Sequence, residues 1–469
     1  MNLDYAYICE NDSIERTYLY KKSKNLACYL RNRNIERVII YGHKNQLMFI
    51  SIVACIIGRI AYVICDTSIS KARIDYIIKD SNANLVLCTE NMVLDDIECI
   101  SSIDMEFYSD KYYEKLDKCI ENDIAYQIYT SGSTGYPKGI KISYNNINNF
   151  LNWFTNFKII SEIQPKIILN QALFSFDLSV LDIYYSLWNK SLLFCLNDNI
   201  MSNFNLLFCY IKKSNAEMAV FTPSFLELCL CDKSFNSTLL PNLKIMFLCG
   251  EVLKPFVAKK FMERFIDVHI INAYGPSEAT CCVSAVEINE DMTKYNKLPI
   301  GDMNNCAVEV KIIDSNGVFI NDLSCGEIVL SGKSVSKGYT NYDNKQFKLI
   351  NNKIYYYTGD LGHIENGMIY FDGRIDNQIK YKGYRIELDE IENTIYKIRG
   401  VEQVQVCTKL NTSKDVIGLM AYVVCADKTI DEKYIYEELS RMLPKYSIPK
   451  SIVITNEIPL NSNRKRFIK

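Results

Sequence analysis

Residues Thr130-Ser131-Gly132-Ser133-Thr134-Gly135-Tyr136-Pro137-Lys138-Gly139 leave this chain few folds to choose from. They follow Ile124-Ala125-Tyr126-Gln127-Ile128-Tyr129, whose aromatic and β-branched run reads as a buried strand entering a loop. Three glycines let backbone N–H groups converge, serine and threonine hydroxyls add donors, and Lys138 adds a mobile positive charge. Such a loop suits a polyphosphate. It is not a Walker A loop, which needs Gly-Lys followed by Ser or Thr at the start of a helix. A flexible linker has the same composition, but the preceding strand argues against one.

The rest of the first half alternates. Apolar spacing predicts helices over 18–33, 46–57 and 71–80, interleaved with strands over 37–42, 61–65 and 84–88. Beyond the loop, a helix is expected over 145–154 and a strand over 167–170. Strands at 219–221, 243–248 and 268–274 each break into a turn or Gly-containing loop. Strands alternating with helices imply a parallel α/β sheet covered on both faces, and ligands bind where such strands end. From about 298 to 375 short alternating strands with turn signals predict a β-rich subdomain. Residues 376–469 read as a separate small, mobile α+β domain, so the expected boundaries are 1–375 and 376–469.

A chain of 469 residues exceeds what one hydrophobic core usually supports. Its net charge of −2 offers no electrostatic case for nucleic acid or an anionic membrane. The apolar run from Leu47 to Ile57 is broken by Gly58 and Arg59 and is too short to cross a bilayer. With no basic segment before an apolar one at the N-terminus, a cytoplasmic protein is expected. The 18 cysteines form no CxxC pair and read as reduced, buried hydrophobes. Only His43, His269 and His363 occur and no GxSxG is present, which disfavours a Ser-His-Asp hydrolase.

Asp177 stands alone in the apolar stretch Phe174-Ser175-Phe176-Asp177-Leu178-Ser179-Val180-Leu181. It reads either as a helix N-cap or as a carboxylate placed to receive a substrate ammonium, and the two are compatible.

The Thr130–Gly139 stretch resembles the phosphate loop of the adenylate-forming superfamily, and further motifs follow in that superfamily's order: Asn272-Ala273-Tyr274-Gly275-Pro276-Ser277-Glu278, Tyr357-Thr358-Gly359-Asp360 and Gly373-Arg374-Ile375-Asp376. The resemblance implies ATP and Mg²⁺. Thr130, Ser131, Gly132, Ser133, Thr134, Gly135 and Lys138 would hold phosphates. Asn272, Ala273, Tyr274 and Gly275 would face adenine, Asp360 and Arg374 the ribose, and Glu278 the metal. Lys465 near the C-terminus would be the catalytic cation, and Asp376 the hinge of the C-terminal domain. The stretches 169–180 and Phe247-Leu248-Cys249-Gly250-Glu251 are similar to the D-alanine-activating carrier-protein ligases of that superfamily. That likeness implies a small amino acid bound by Asp177, Leu178, Leu181, Cys249, Ala273 and Cys281, and a phosphopantetheinylated carrier protein as a separate partner.

Three departures keep alternatives open. Arg464 stands where the family has glycine before the lysine, Cys281-Cys282 is unusual for a D-alanine enzyme, and the N-terminus looks abbreviated, with sheet-edge structure missing. A stand-alone peptide-synthetase adenylation enzyme for another small amino acid, or a degenerate nucleotide-binding paralogue, would share the same motifs.

Overall fold

The computed structural model describes residues 3–92, 94, 97–110, 124–132, 136–320, 323–411, 416–426 and 429–458. The chain folds into two compact units. One comprises residues 1–66, 82–128 and 140–375, the other 67–81, 129–139 and 376–469.

The first unit is built on sheets. An eight-stranded sheet runs, in spatial order, Ser284–Ile288, His269–Tyr274, Ile245–Leu248, Met218–Phe221, Ile167–Asn170, Leu192–Cys195, Tyr5–Cys9 and Asp12–Glu15. The middle six strands are parallel and the two edges antiparallel. Fully buried runs such as Ile-Met-Phe-Leu at 245–248 belong in such a sheet, because both faces are covered. Residues 5–15 form an edge hairpin on this sheet, a correction to the expectation that edge structure would be missing. Its strands are only five and four residues long, too short for periodicity alone to separate strand from helix.

A second, largely parallel sheet contains Ala61–Asp66, Arg37–Gly42, Val86–Cys88 and Cys99–Ile100, with Ile124–Thr130 registered against it through Tyr126 opposite Tyr62. The helix Gln46–Gly58 is apolar on nearly every side and buries most of its residues in the core shared with this sheet. Asn45 caps it by accepting from Met48 N at 2.9 Å. A third, antiparallel sheet places Met368–Arg374, Lys353–Glu365, Gly326–Ser331 and Glu309–Ile313 side by side, the β-rich texture expected from about residue 298.

The second unit has its own core, with Ile391, Ile395, Val404, Ala421, Val423, Ile435 and Leu439 at its centre. The strands Gln378–Tyr381 and Tyr384–Glu387 form a hairpin, and both turn residues have positive φ, Lys382 at 54° and Gly383 at 82°. That combination is the one a right-twisted two-residue hairpin requires. The helices Leu388–Tyr396 and Glu432–Met442 pack with the antiparallel pair Val401–Leu410 and Val416–Cys425. Asp431 caps the second of these helices by accepting from Tyr434 N at 2.7 Å.

Candidate active site

Register explains why distant residues meet. Asn170 lies opposite Val220, Phe221 opposite Leu248, and Leu248 opposite Asn272. The carboxyl ends of four parallel strands therefore line up, and one edge of the sheet carries Ala273 at the end of its strand and Asp177, Thr222 and Cys249 in the segments that follow the other three.

Asp177 precedes the helix Leu178–Asn189, yet its side chain makes no capping bond to that helix. It accepts a hydrogen bond from Ser277 Oγ instead. Of the two readings of Asp177, the capping one is thus not realised. Leu178, Leu181, Cys249, Ala273, Cys281 and Cys282 are all buried in one apolar cluster that also includes Tyr126 and Phe174. Cys281 and Tyr126 both lie within electrostatic range of Asp177. A hydrogen bond with Cys282 pulls the Cys281 thiol down and burial pushes it up, leaving it at about 11, while burial raises Cys282 well above the usual thiol range. Both are neutral near pH 7 and act as small apolar walls rather than nucleophiles. Gly275 is required here, since a Cβ would overlap the backbone of Cys281 and Cys282.

A second cluster begins at Tyr274, whose Oη donates to Asp360 Oδ2 at 2.7 Å. Arg374 lies directly across the antiparallel ladder from Asp360 and donates to its other oxygen. Thr358 fixes the turn: its hydroxyl donates to Ile328 O at 2.7 Å and accepts from Asp360 N at 3.0 Å. Burial first, and then the Asp360 charge, raise the Tyr274 phenol well above its ordinary range, so it stays a donor. Asn272 directs its amide NH₂ to Pro299 O at 2.7 Å. Glu278 is fully buried, and one carboxylate oxygen accepts from Tyr339 Oη at 2.8 Å.

The phosphate-loop residues belong to the second unit. Ser131 Oγ donates to Arg385 O at 2.8 Å, and the buried Thr130 Oγ1 has no hydrogen-bond partner among the described residues. A Cβ on Gly132 would overlap the Tyr136 carbonyl oxygen, so the loop closes only on glycine. Tyr136 stacks on Tyr76 at 5.0 Å, and Lys397 Nζ lies 4.1 Å from the centre of its ring. Lys138 is buried and acts electrostatically on Glu387, whose carboxyl burial raises above its ordinary value. Asp376 Oδ1 accepts from Gln378 N at 3.2 Å. Ser133, Thr134, Gly135 and Lys465 lie outside the described residues.

The AMP-binding enzyme family matches residues 4–340. The chain belongs to that family. Its curated relatives include the D-alanine–D-alanyl carrier protein ligase of Bacillus licheniformis, 36% identical, with the alignment covering 98% of this chain and 94% of the relative. The ligase of the same name from Listeria innocua is 38% identical over 91% of this chain and 87% of its own length. Among solved structures, the family's fold is seen in the Vibrio cholerae adenylation domain AlmE in complex with glycyl-adenosine-5'-phosphate, with a TM-score of 0.85 at 22% identity, covering 97% of this chain and 92% of that one. An NRPS protein containing adenylation and PCP domains also has a TM-score of 0.85, at 21% identity over 98% and 80% of the two chains. The expected α/β class with a β-rich part and an α+β unit is the one observed.

Sequence motifs led to Asp177, Tyr274, Glu278, Asp360 and Arg374 but gave no role to Ser277, Thr358 or Tyr339, which hold Asp177, Asp360 and Glu278. Ser277 lies in the motif next to Glu278, but its partner lies 100 residues away, outside that motif. Tyr339 carries no local signal, because its role depends on a fold-back over 61 residues. Among the described residues no disulfide forms and no helix is long and apolar enough to cross a membrane.

Proposed function

We propose that the chain is an AMP-forming ligase that activates D-alanine with ATP and transfers it to the phosphopantetheine thiol of a separate carrier protein. In the first step a carboxylate oxygen of the amino acid attacks the α-phosphorus of ATP, giving aminoacyl-AMP and pyrophosphate. In the second the thiol, losing its proton, attacks the acyl carbon, and AMP leaves. The observation that carries the amino-acid reading is Asp177, a carboxylate held by Ser277 beside small, buried, apolar residues. An ammonium there gains a charge-assisted partner, while the buried Leu181, Cys249, Ala273 and Cys281 surround the side chain with apolar groups.

Tyr274 offers a ring to the adenine, and the Asp360 carboxylate, oriented by Arg374, receives the ribose hydroxyls. The glycine-lined loop and the orphaned Thr130 hydroxyl suit phosphate oxygens. Glu278 suits Mg²⁺: one hard carboxylate, without a dedicated cage among the described residues, fits a cation that takes its remaining ligands from phosphate and water. When bound, Mg²⁺ neutralises phosphate charge during displacement. Lys465 supplies the cation on the bridging oxygen, and Asp376 is the hinge by which the C-terminal residues serve both steps in turn. Asp376→Pro therefore leaves pyrophosphate exchange intact and blocks carrier loading.

Pyrophosphate exchange driven by D-alanine, L-alanine, glycine and propionate tests the proposal. Preference for D-alanine supports it. Preference for another small amino acid moves the chain to the peptide-synthetase reading, for which the Cys281-Cys282 lining is the motive, and no exchange at all moves it to a nucleotide-binding paralogue.

A further inference from the structure

The segment 171–177, which delivers Asp177, is tied down by polar groups that play no part in the chemistry above. Asn170, at the end of its strand, donates from Nδ2 to Ala172 O at 3.1 Å and to Asp182 Oδ2 at 2.5 Å. Lys44, buried, donates from Nζ to Gln171 O at 2.8 Å and to Leu196 O at 2.7 Å. Ser179 Oγ donates back to Phe176 O at 2.6 Å. Asp182 and Asn170 are both wholly inaccessible to solvent, and each keeps one oxygen, Oδ1, with no partner among the described residues.

Burying a carboxyl, an amide and an ammonium together is expensive, and apolar residues of similar size would generally pack at least as well. What apolar residues cannot do is fix direction. The bond from Asn170 to Asp182 crosses from the strand end to the second turn of the helix Leu178–Asn189, so it sets that helix's rotation and height against the sheet. Leu178, Leu181 and the preceding Asp177 move with that helix. The amide of Asn170 cannot flip, because Ala172 O needs its NH₂.

We propose that Asn170, Asp182 and Lys44 are positioning residues: a buried brace that fixes where Asp177 presents its carboxylate to the substrate ammonium. The inference rests on the amino-acid reading of Asp177. It extends that reading to groups that touch neither substrate nor nucleotide and gives them control of amino-acid affinity alone.

Burial raises the Asp182 carboxyl to about 8, against the opposing pull of Asn170 and Lys44, and Cys195 and Cys281 are the other titratable groups in its electrostatic reach. Near pH 7 the brace therefore holds a neutral acid. Above pH 8 it acquires a charge facing Lys44, and its geometry changes.

The test is D-alanine-dependent pyrophosphate exchange by the full chain with Mg-ATP. Asn170→Leu and Asp182→Ala are expected to raise the D-alanine KM about tenfold or more, leaving the ATP KM within about twofold. Asp182→Asn, which keeps an acceptor for Asn170, restores most of the D-alanine affinity. In the parent the D-alanine KM rises more steeply above pH 8 than in Asp182→Asn. If the first two variants do not fold, this pair of pH profiles decides. Folded variants with an unchanged D-alanine KM, a parallel rise in both KM values, or superimposable pH profiles would overturn the brace while Asp177→Asn still impairs D-alanine use. Equal use of propionate and D-alanine by the parent would instead overturn the Asp177 reading itself.

Discussion

Tyr274 donates its phenolic proton to Asp360 across 86 residues of sequence, at 2.7 Å, and in doing so joins the end of a parallel strand to the middle of an antiparallel one. Asp360 is 4% exposed and shares its other oxygen with Arg374, so one carboxylate organises two partners that the first-unit sheets bring from opposite directions.

Asp360→Ala is accordingly expected to do two things. Removing one member of a buried, hydrogen-bonded charge pair costs about 3–5 kcal/mol, and Asp360→Asn, which keeps one acceptor, should cost less. Equilibrium urea unfolding measures this difference. The ATP KM should rise at least about tenfold in Asp360→Ala while the D-alanine KM moves little, because Asp360 belongs to the Tyr274 cluster rather than to the apolar one around Asp177. Equal changes in both KM values would argue against a ribose role.

Lys465→Ala should depress pyrophosphate exchange by about 10²–10³-fold, the range seen when one preorganised electrostatic donor is removed. Equilibrium binding of ATP, followed by calorimetry, should change far less, since the cation acts on charge that develops as pyrophosphate leaves. Unchanged exchange would remove Lys465 from the mechanism without touching family membership. Arg464→Gly, which restores the family's glycine, gives a companion measurement of whether that side chain slows the step.

Which of these residues could be found in sequence follows from how local their determinants are. The strands expected over 37–42, 61–65 and 243–248 were legible because an unbroken apolar run forms the centre of each, which in an α/β chain means burial on both faces. Tyr274, Asp360 and Arg374 were legible because they stand in motifs that resemble those of the adenylate-forming superfamily. Ser277 reaches Asp177 over 100 residues and Tyr339 reaches Glu278 over 61, so their roles follow from strand register, which no local window encodes. The Asn170 and Asp182 pair was hidden for a different reason: periodicity marks apolar residues as buried and passes over polar ones at the same depth.

The second unit contains a buried ion pair that sequence also could not show. Arg73 Nη1 lies 2.8 Å from Glu390 Oε1, with side chains 5% and 2% exposed, across 317 residues. Glu390→Gln, which takes the Glu390 charge from Arg73, should destabilise the chain by about 3–5 kcal/mol. The double variant Arg73→Met with Glu390→Leu should recover most of that loss, because it removes both desolvation costs together. Urea unfolding of the parent, Arg73→Met, Glu390→Leu and the double forms a complete cycle. Additive losses in the double variant would show that the pair is not energetically coupled.

Asp182 gives the sharpest expectation about pH. Its ordinary value is 3.8, and burial raises it to about 8, with Asn170 and Lys44 opposing. Between those two values the folded chain holds a proton that the unfolded chain has released, so the unfolded state binds fewer protons and stability falls as pH rises. The stabilisation of the neutral acid is fully present below 3.8, declines by up to about 1.4 kcal/mol per pH unit through the window, and is exhausted above about 8. Asp182→Asn has no proton to lose there. Its stability relative to the parent should therefore rise from about pH 5 to about pH 8 and then level off, whatever the other carboxyls contribute, because those are common to both proteins. Unfolding in urea at successive pH values measures the difference directly. A difference that stays flat across the window would mean that Asp182 is ionised in the folded chain near neutrality, and that the brace on Asp177 holds a carboxylate rather than an acid.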